Sequence, residues 1–329
     1  MADYNISYVL TTYNKLPYLQ QVLGRLVATR QTDEEIIVCD GGSKDGTPTY
    51  LQELYDAGHI QQFVSERDRG EAHGFNKGML MARGDIIKVI TDDDAFCYPM
   101  IRQAAKFMIQ NPTVDVVLSY SAGTDVSDPS NAYITYGPKR EFDQWQKDQT
   151  PFWMVGLSLM IRRQSLPLTG LLSTGVVLVD VEYITRLTSL GINIAWCTGI
   201  MSMHVNNANG NYNRMNPAAI KAEGERVYDY YVVRSKKRNK EVLIKSIVEA
   251  IKRPVRPLKR ALFDRMGLEQ IKHKETFPTG YVVVDGDNPL RAVYQVCDEF
   301  MATYNANNPV DFLYKNRENI KVMQSNKIQ

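Results

Sequence analysis

Three consecutive acids, Asp92-Asp93-Asp94, close the apolar run that begins at Ile86. Unpartnered buried charge is costly, so these carboxylates must be solvated or neutralised by a cation. A hard divalent ion, Mn2+ or Mg2+, takes oxygen ligands and shares its remaining positions with phosphates. The other reading is a solvated acidic turn before the helix that Pro99 announces, where Asp is favoured. A second polar cluster, Asp40-Gly41-Gly42-Ser43-Lys44-Asp45-Gly46-Thr47, ends another apolar run. Its glycines, Gly42 among them, let a ligand approach the backbone closely. Asp40 can accept from a base N–H or a ribose hydroxyl; equally, the stretch reads as a surface turn with a capped helix. Gly41 and Gly46 have phosphate-loop spacing, but Thr47 follows Gly46 with no Lys between, so this is not a P-loop. Glu66-Arg67-Asp68-Arg69-Gly70 and Asn76-Lys77-Gly78, taken singly, read as caps and turns.

The elements that must position these groups follow from apolar periodicity. Residues 6–12, 35–40, 60–64, 86–91 and 114–120 read as strands. Between them, helices are expected from Leu16 on and over 47–55, 71–82 and 98–110. In the first helix Leu16, Leu19, Val22, Leu23, Leu26 and Val27 share one face. Strand and helix alternate five times, which predicts a mostly parallel sheet flanked by helices. Ligands of such sheets bind beyond the carboxyl ends of the strands. That makes Thr11, Thr12, Tyr13 and Asn14, then Asp40, then Asp92 to Asp94, the functional candidates. Residues 121–150 break the rhythm and read as a long polar loop. The pattern resumes at 152–161, with a helix over 180–190 and a strand over 192–196. Past 206 the character changes to an Asn-rich loop, a helix over 218–233 and a strongly basic stretch. We therefore expect an α/β domain over 1–215 and a C-terminal basic, mainly helical region over 216–329.

Taken in order, six segments resemble the family 2 glycosyltransferases across about residues 5–200. They are Thr12-Tyr13-Asn14, Asp40 to Thr47, Glu66-x-Asp68-x-Gly70, Asn76-Lys77-Gly78, Ala82-Arg83-Gly84-Asp85 and Asp92-Asp93-Asp94. The resemblance implies a GT-A (Rossmann-like) fold and a nucleoside-diphosphate sugar donor, with a UDP-sugar favoured. It also implies a divalent metal and a single displacement with inversion. Thr12, Tyr13 and Asp40 would cradle the base and ribose, with Thr11, Asn14, Gly42 and Asn76 in the same nucleotide-sugar set. Asp68 would lie against the nucleoside, and Asp92, Asp93 and Asp94 would hold the metal against the diphosphate. The usual first acid of the longer metal motif aligns with Thr91. Asp94 is accordingly the expected direct ligand, with Asp92 or Asp93 on the ribose side. The family's general base sits in a Glu-Asp pair opening a helix; Val179-Asp180-Val181-Glu182-Tyr183, then Arg186, fits with Val179 replacing Glu. Asp180 is the expected base, and the same stretch also reads as a helix N-terminus with Glu182 favouring the dipole. His204 would contact the metal or diphosphate. Trp153 and Gly156 would line the acceptor side.

The bulk properties set limits. The 329 residues are 44% hydrophobic and 23% charged, with a net charge of +2. Nothing in that balance argues for nucleic acid. The four cysteines lack C-x-x-C spacing and read as free thiols. The N-terminus has no basic or apolar leader, and no stretch reaches the ~20 apolar residues of a membrane span, so a cytoplasmic location is expected. Between Arg234 and Arg265 twelve Lys or Arg residues interleave with apolar ones. That stretch is either a solvated face or an amphipathic surface on anionic lipid; Pro254 and Pro257 interrupt any single helix. The second reading suits a cytoplasmic membrane surface and a glycan or lipid-linked acceptor, as in bacterial-type polysaccharide or glycolipid synthesis. A nucleotidyltransferase would open with a Gly-rich, basic loop where this chain has Thr-Thr-Tyr-Asn-Lys. A non-catalytic scaffold would have no need of the retained acids.

Overall fold

The computed structural model describes residues 4–207, 210, 216–233, 274–281 and 288–315. Four strands form its parallel half: β1 (Tyr4–Thr12), β2 (Glu34–Asp40), β3 (Gln62–Ser65) and β4 (Gly84–Ile90), in spatial order β3-β2-β1-β4. Along β1 the side chains alternate between two cores. Ile6, Tyr8 and Leu10 enter one, and Val9 enters the other. Helices α1 (Leu16–Thr29), α2 (Thr47–Asp56) and α4 (Tyr98–Gln110) cover the first face, and α3 (Glu71–Met81) covers the second. Three of these helices, α1, α2 and α4, carry Pro in their first turn, where its missing N–H costs nothing.

Beyond β4 the sheet becomes mixed. β5 (Ala95–Phe96) pairs with β9 (Ile194–Asn206), which runs parallel to β6 (Val116–Asp125). The short β8 (Met160–Arg162) lies antiparallel between β4 and β6. Residues 121–150 are not the expected loop. β6 continues to Asp125, turns through Asp125 and Asp128, whose side chains accept from Ser127 N and Ser130 N, and returns as β7 (Asn131–Thr135). A helix follows, α5 (Gly137–Asp148), with Phe142 and Trp145 buried in the second core. α6 (Leu166–Thr169) is a single turn, and α7 (Val179–Ser189) packs Tyr183, Ile184 and Leu187 beside Trp145 and Trp196.

Past residue 216 lie α8 (Pro217–Tyr228), β10 (Lys274–Pro278), α9 (Pro289–Asn307) and β11 (Phe312–Tyr314). β10 extends the sheet from β7, and β11 pairs with β9. α9 joins the first core through Val293, Tyr294, Cys297 and Met301, and Asp298 pairs with Arg25 of α1 at 2.8 Å. All four cysteines are free thiols. No helix among the described residues is long and apolar enough to cross a membrane. The basic stretch 234–265 lies outside the described residues.

Candidate active site

The loops after β1, β2 and β4 meet at one end of the parallel half. Thr12 and Asp40 are register partners, and Gly41 N donates to Thr12 O at 3.0 Å. Asn14, in the left-handed region at φ 51°, latches the two loops together. Its N–H donates to Ser43 Oγ, and its Oδ1 accepts from Lys44 N, both at 2.7 Å. Asp45 accepts from Leu16 N at 2.9 Å and from Thr47 Oγ1 at 2.7 Å, so it ties the opening of α1 to that of α2. Asp40 is wholly buried. It accepts from Ser43 N, from Ser43 Oγ at 2.5 Å and from Ser65 Oγ at 2.6 Å. This carboxylate braces the turn from beneath. Asn76 behaves likewise, exchanging two 2.8 Å bonds with the backbone of Leu172.

Other expected residues face outward. Tyr13 is 59% exposed at the tip of β1, while Thr11 and Thr12 are buried below it. The Asp68 carboxylate lies against the Gly41 backbone, 3.2 Å from where a Cβ would stand, and accepts from Gly70 N at 2.9 Å. α3 approaches β1 so closely that a Cβ on Gly74 would stand 2.8 Å from Thr11 Cγ2. A side chain there would push helix and strand apart and open the cleft floor.

The acid run after β4 is divided in its duties. Asp94 is buried, and its oxygens accept from Thr91 Oγ1 (2.7 Å), His204 Nδ1 (2.8 Å) and Val205 N (2.9 Å). Burial pushes its pKa up, but these bonds and the His204 charge prevail, and the carboxyl titrates below the usual range. Asp92 and Asp93 turn to Lys15, whose Nζ lies 3.3 Å from Asp92 Oδ1 and 2.5 Å from Asp93 Oδ2. Asp93 also accepts from Asn207 Nδ2 at 3.2 Å. Burial raises both acids, against the pull of Lys15. Burial likewise lowers Lys15, but the two carboxylates outweigh it and hold the ammonium above its ordinary pKa. Lys15 was not among the residues expected from sequence. The signal was a lone cation directly after Thr-Tyr-Asn, on a strand tip beside an acidic one.

Asp180 opens α7 and is half-buried. Gly156 N donates to its Oδ2 at 3.2 Å and Val181 N to its Oδ1 at 2.8 Å. Burial raises its pKa, and those backbone bonds only partly offset the rise. Glu71, a second carboxylate absent from the expected set, lies exposed in the first turn of α3. Desolvation by neighbouring atoms, with the charges of Asp180 and Asp92, pushes its pKa up. Gly156 thus touches the expected base directly, and Trp153, three residues earlier, is 52% exposed. His204 is oriented by Asp94 through Nδ1, which leaves Nε2 without a partner among the described residues. Burial lowers the ring's pKa, but the Asp94 bond and charge raise it further, for a net rise.

By chemistry these donors fit a hard divalent ion: two carboxylates facing the cleft and an imidazole held by a carboxylate through its far nitrogen. Among the described residues, however, no three such side chains converge as a finished coordination set. The ammonium of Lys15 stands between the two acids instead.

Residues 7–166 match the model of Glycosyl transferase family 2. An uncharacterized glycosyltransferase of Nostoc sp. is 25% identical over 42% of this chain and 43% of its own length. A poly-beta-1,6-N-acetyl-D-glucosamine synthase of Staphylococcus epidermidis is 30% identical over 28% of this chain and 24% of its own. An Escherichia coli protein named UDP-Glc:alpha-D-GlcNAc-diphosphoundecaprenol beta-1,3-glucosyltransferase is 24% identical over 34% of this chain and 44% of its own. The chain thus spans less than half the length of these curated relatives. Among solved structures, the Pyrobaculum calidifontis mannosyltransferase in complex with GDP-Man and Mn2+ aligns with a TM-score of 0.49 at 17% identity, over 77% of this chain and 82% of that one.

Proposed function

We propose that this protein, whose residues 7–166 match the model of Glycosyl transferase family 2, moves a sugar from a nucleoside diphosphate to an acceptor hydroxyl. The observation that carries the reading is the meeting of Lys15, Asp92 and Asp93 within 3.3 Å at neighbouring strand tips. Tyr13, Thr11, Thr12, Asp68 and the Gly41-Gly42 backbone receive the nucleoside. Asp40, Asn14 and Asn76 hold that pocket in shape from below, since their polar atoms are already bonded within the fold.

A divalent ion, when bound, neutralises charge on the departing diphosphate. Asp93, Asp92 and His204 Nε2 would hold it. We move the ligand role from Asp94 to Asp93, because both Asp94 oxygens are engaged inside the protein. Asp94 then acts by fixing the imidazole. Asp180 takes the proton of the acceptor hydroxyl as it attacks the anomeric carbon. Its raised pKa makes it a stronger proton acceptor than an ordinary carboxylate. Attack opposite the leaving diphosphate gives one displacement with inversion. Trp153 offers a face for an acceptor sugar ring beside Gly156.

A UDP-sugar is the favoured donor, and the E. coli relative named for UDP-Glc and a diphosphoundecaprenol acceptor agrees with a lipid-linked substrate. Polysaccharide or glycolipid synthesis at a membrane surface follows as the setting. Titration calorimetry with UDP, with and without Mn2+, tests the donor side. For the base, Asp180→Asn should keep UDP binding and lower transfer by about 10²- to 10⁴-fold. Full transfer activity in that variant would remove Asp180 from its role.

A further inference from the structure

Lys15 caps α1 without a side-chain bond to the helix. The left-handed turn at Asn14, clamped by Ser43 and Lys44, aims the chain across the cleft. The Lys15 side chain is 13% exposed, and its two partners are 9% and 13% exposed. This is not a solvated surface lysine. Every oxygen-bearing group of the acid run is already answered by the protein: Asp94 by Thr91, His204 and Val205, Asp93 by Lys15 and Asn207, Asp92 by Lys15.

Lys15 Nζ stands 3.3 Å from Asp92 Oδ1 and 2.5 Å from Asp93 Oδ2, in the place a cation shared by the two carboxylates would take. A free divalent ion entering it must expel the ammonium from two carboxylates and leave it partly buried without an anion, which is costly. A nucleoside diphosphate changes that balance, because it brings phosphate oxygens to which the ammonium can turn. Lysine suits the exchange: its head is a point charge with three rotatable donors on a flexible stem.

Resting on the nucleotide-sugar reading above, we propose that Lys15 is a resident counter-cation of the strand-tip acids. It keeps a free divalent ion out of the site and yields its place only when the ion arrives with a nucleoside diphosphate, to whose phosphates the lysine turns. Ion and nucleotide are therefore positively coupled, and the coupling is reciprocal.

The test is Mn2+ binding to the full chain, read by electron paramagnetic resonance or calorimetry, with and without UDP, in the wild type, Lys15→Met and Lys15→Arg. Wild type should bind Mn2+ alone about tenfold or more weakly than with UDP, within the usual span of coupling. Lys15→Met should bind Mn2+ alone about tenfold more tightly than wild type, with a smaller gain from UDP. Lys15→Arg should stay close to wild type. Should Lys15→Met not fold, as judged by thermal melting, Lys15→Gln takes its place. Equal Mn2+ affinity in the charged and uncharged variants without UDP overturns the inference. So does wild-type Mn2+ binding that is as tight alone as with UDP. The nucleotide reading fails separately, by an absence of UDP binding under every condition.

Discussion

Replacing Lys88 with Met should change how stability depends on pH, by an amount the fold allows to be worked out. Lys88 lies at the middle of β4, between Tyr8 of β1 and Met160 of β8, and is wholly buried. Its ammonium donates to Val89 O at 2.7 Å and to Leu157 O, and it sits 5.0 Å from the Phe96 ring centroid. Burial pulls its pKa from 10.5 down to about 7, with the Asp94 charge opposing. At ~1.4 kcal/mol per pH unit, that is a cost of about 5 kcal/mol for keeping the charge inside. Between pH 7 and 10 the unfolded chain holds this proton and the folded chain releases it, so wild-type stability rises with pH across that window. From pH 7 to pH 9 the gain is about 2 kcal/mol. Lys88→Met lacks the titrating group. Urea unfolding of both proteins at the two pH values isolates the lysine, since the remaining groups are common to both. Parallel pH profiles would refute the reasoning, because they would mean that the ammonium is as well solvated inside as outside. The variant has a second consequence. Leu157 O loses its donor, and its neighbour Gly156 is the residue whose N–H holds Asp180. Transfer by Lys88→Met should therefore fall while UDP binding holds.

The pair of Asp94 and His204 has its own window. Asp94, held low, contributes stability above its unfolded pKa of ~3.9 and loses it as pH falls through the lower folded value; His204, held high, contributes below ~6.5 and loses it as pH rises through its folded value. His204→Ala should flatten the fall in thermal stability from pH 6 to 8, an effect of about 1 kcal/mol or less because the ring is half exposed. Tyr13→Ala should leave the melting temperature unchanged and weaken UDP binding about tenfold, the scale of one base-stacking contact. Asp40→Ala should do the reverse first: three donors, Ser43 N, Ser43 Oγ and Ser65 Oγ, lose a buried acceptor. That costs about 3 kcal/mol or more in denaturant unfolding.

The parallel half was legible because its periodicity is clean. β1 to β4 and α1 to α4 follow the apolar pattern to within a few residues. The segment 121–150 was not. In α5, Gly-Pro-Lys-Arg-Glu-Phe-Asp-Gln-Trp-Gln-Lys-Asp, only Phe142 and Trp145 mark the buried face, too few for a periodic signal. β7 alternates over just five residues, and its pairing with β6 rests on a turn built by Asp125 and Asp128. The chemistry of the site was legible as a type, acids at strand tips. Its division of labour was not, because three adjacent Asp residues differ only in where each side chain points. That direction depends on Thr91, on His204 across β9, and on Lys15, which lies 77 residues before Asp92.

The motif that singles out this chain is chiefly a brace. Asn14, Asp40, Asp45 and Asn76 all direct their polar atoms at backbone or at neighbouring hydroxyls. They join the loops after β1 and β2 to each other and α3 to the segment before α7. On the proposed nucleotide-sugar reading, a cleft that grips a flexible diphosphate needs its walls fixed beforehand, since ordering them on binding would weaken the grip. The groups not spent on bracing, Tyr13, Lys15, Asp68, Glu71, Asp92, Asp93, Asp180 and His204, come from the loops after β1, β3 and β4, the first turns of α3 and α7, and strand β9. None could hold its position by local structure alone. The number of bracing residues per presented residue is therefore a consequence of building the site on strand tips, where backbone hydrogen bonding stops and side chains must take over its work.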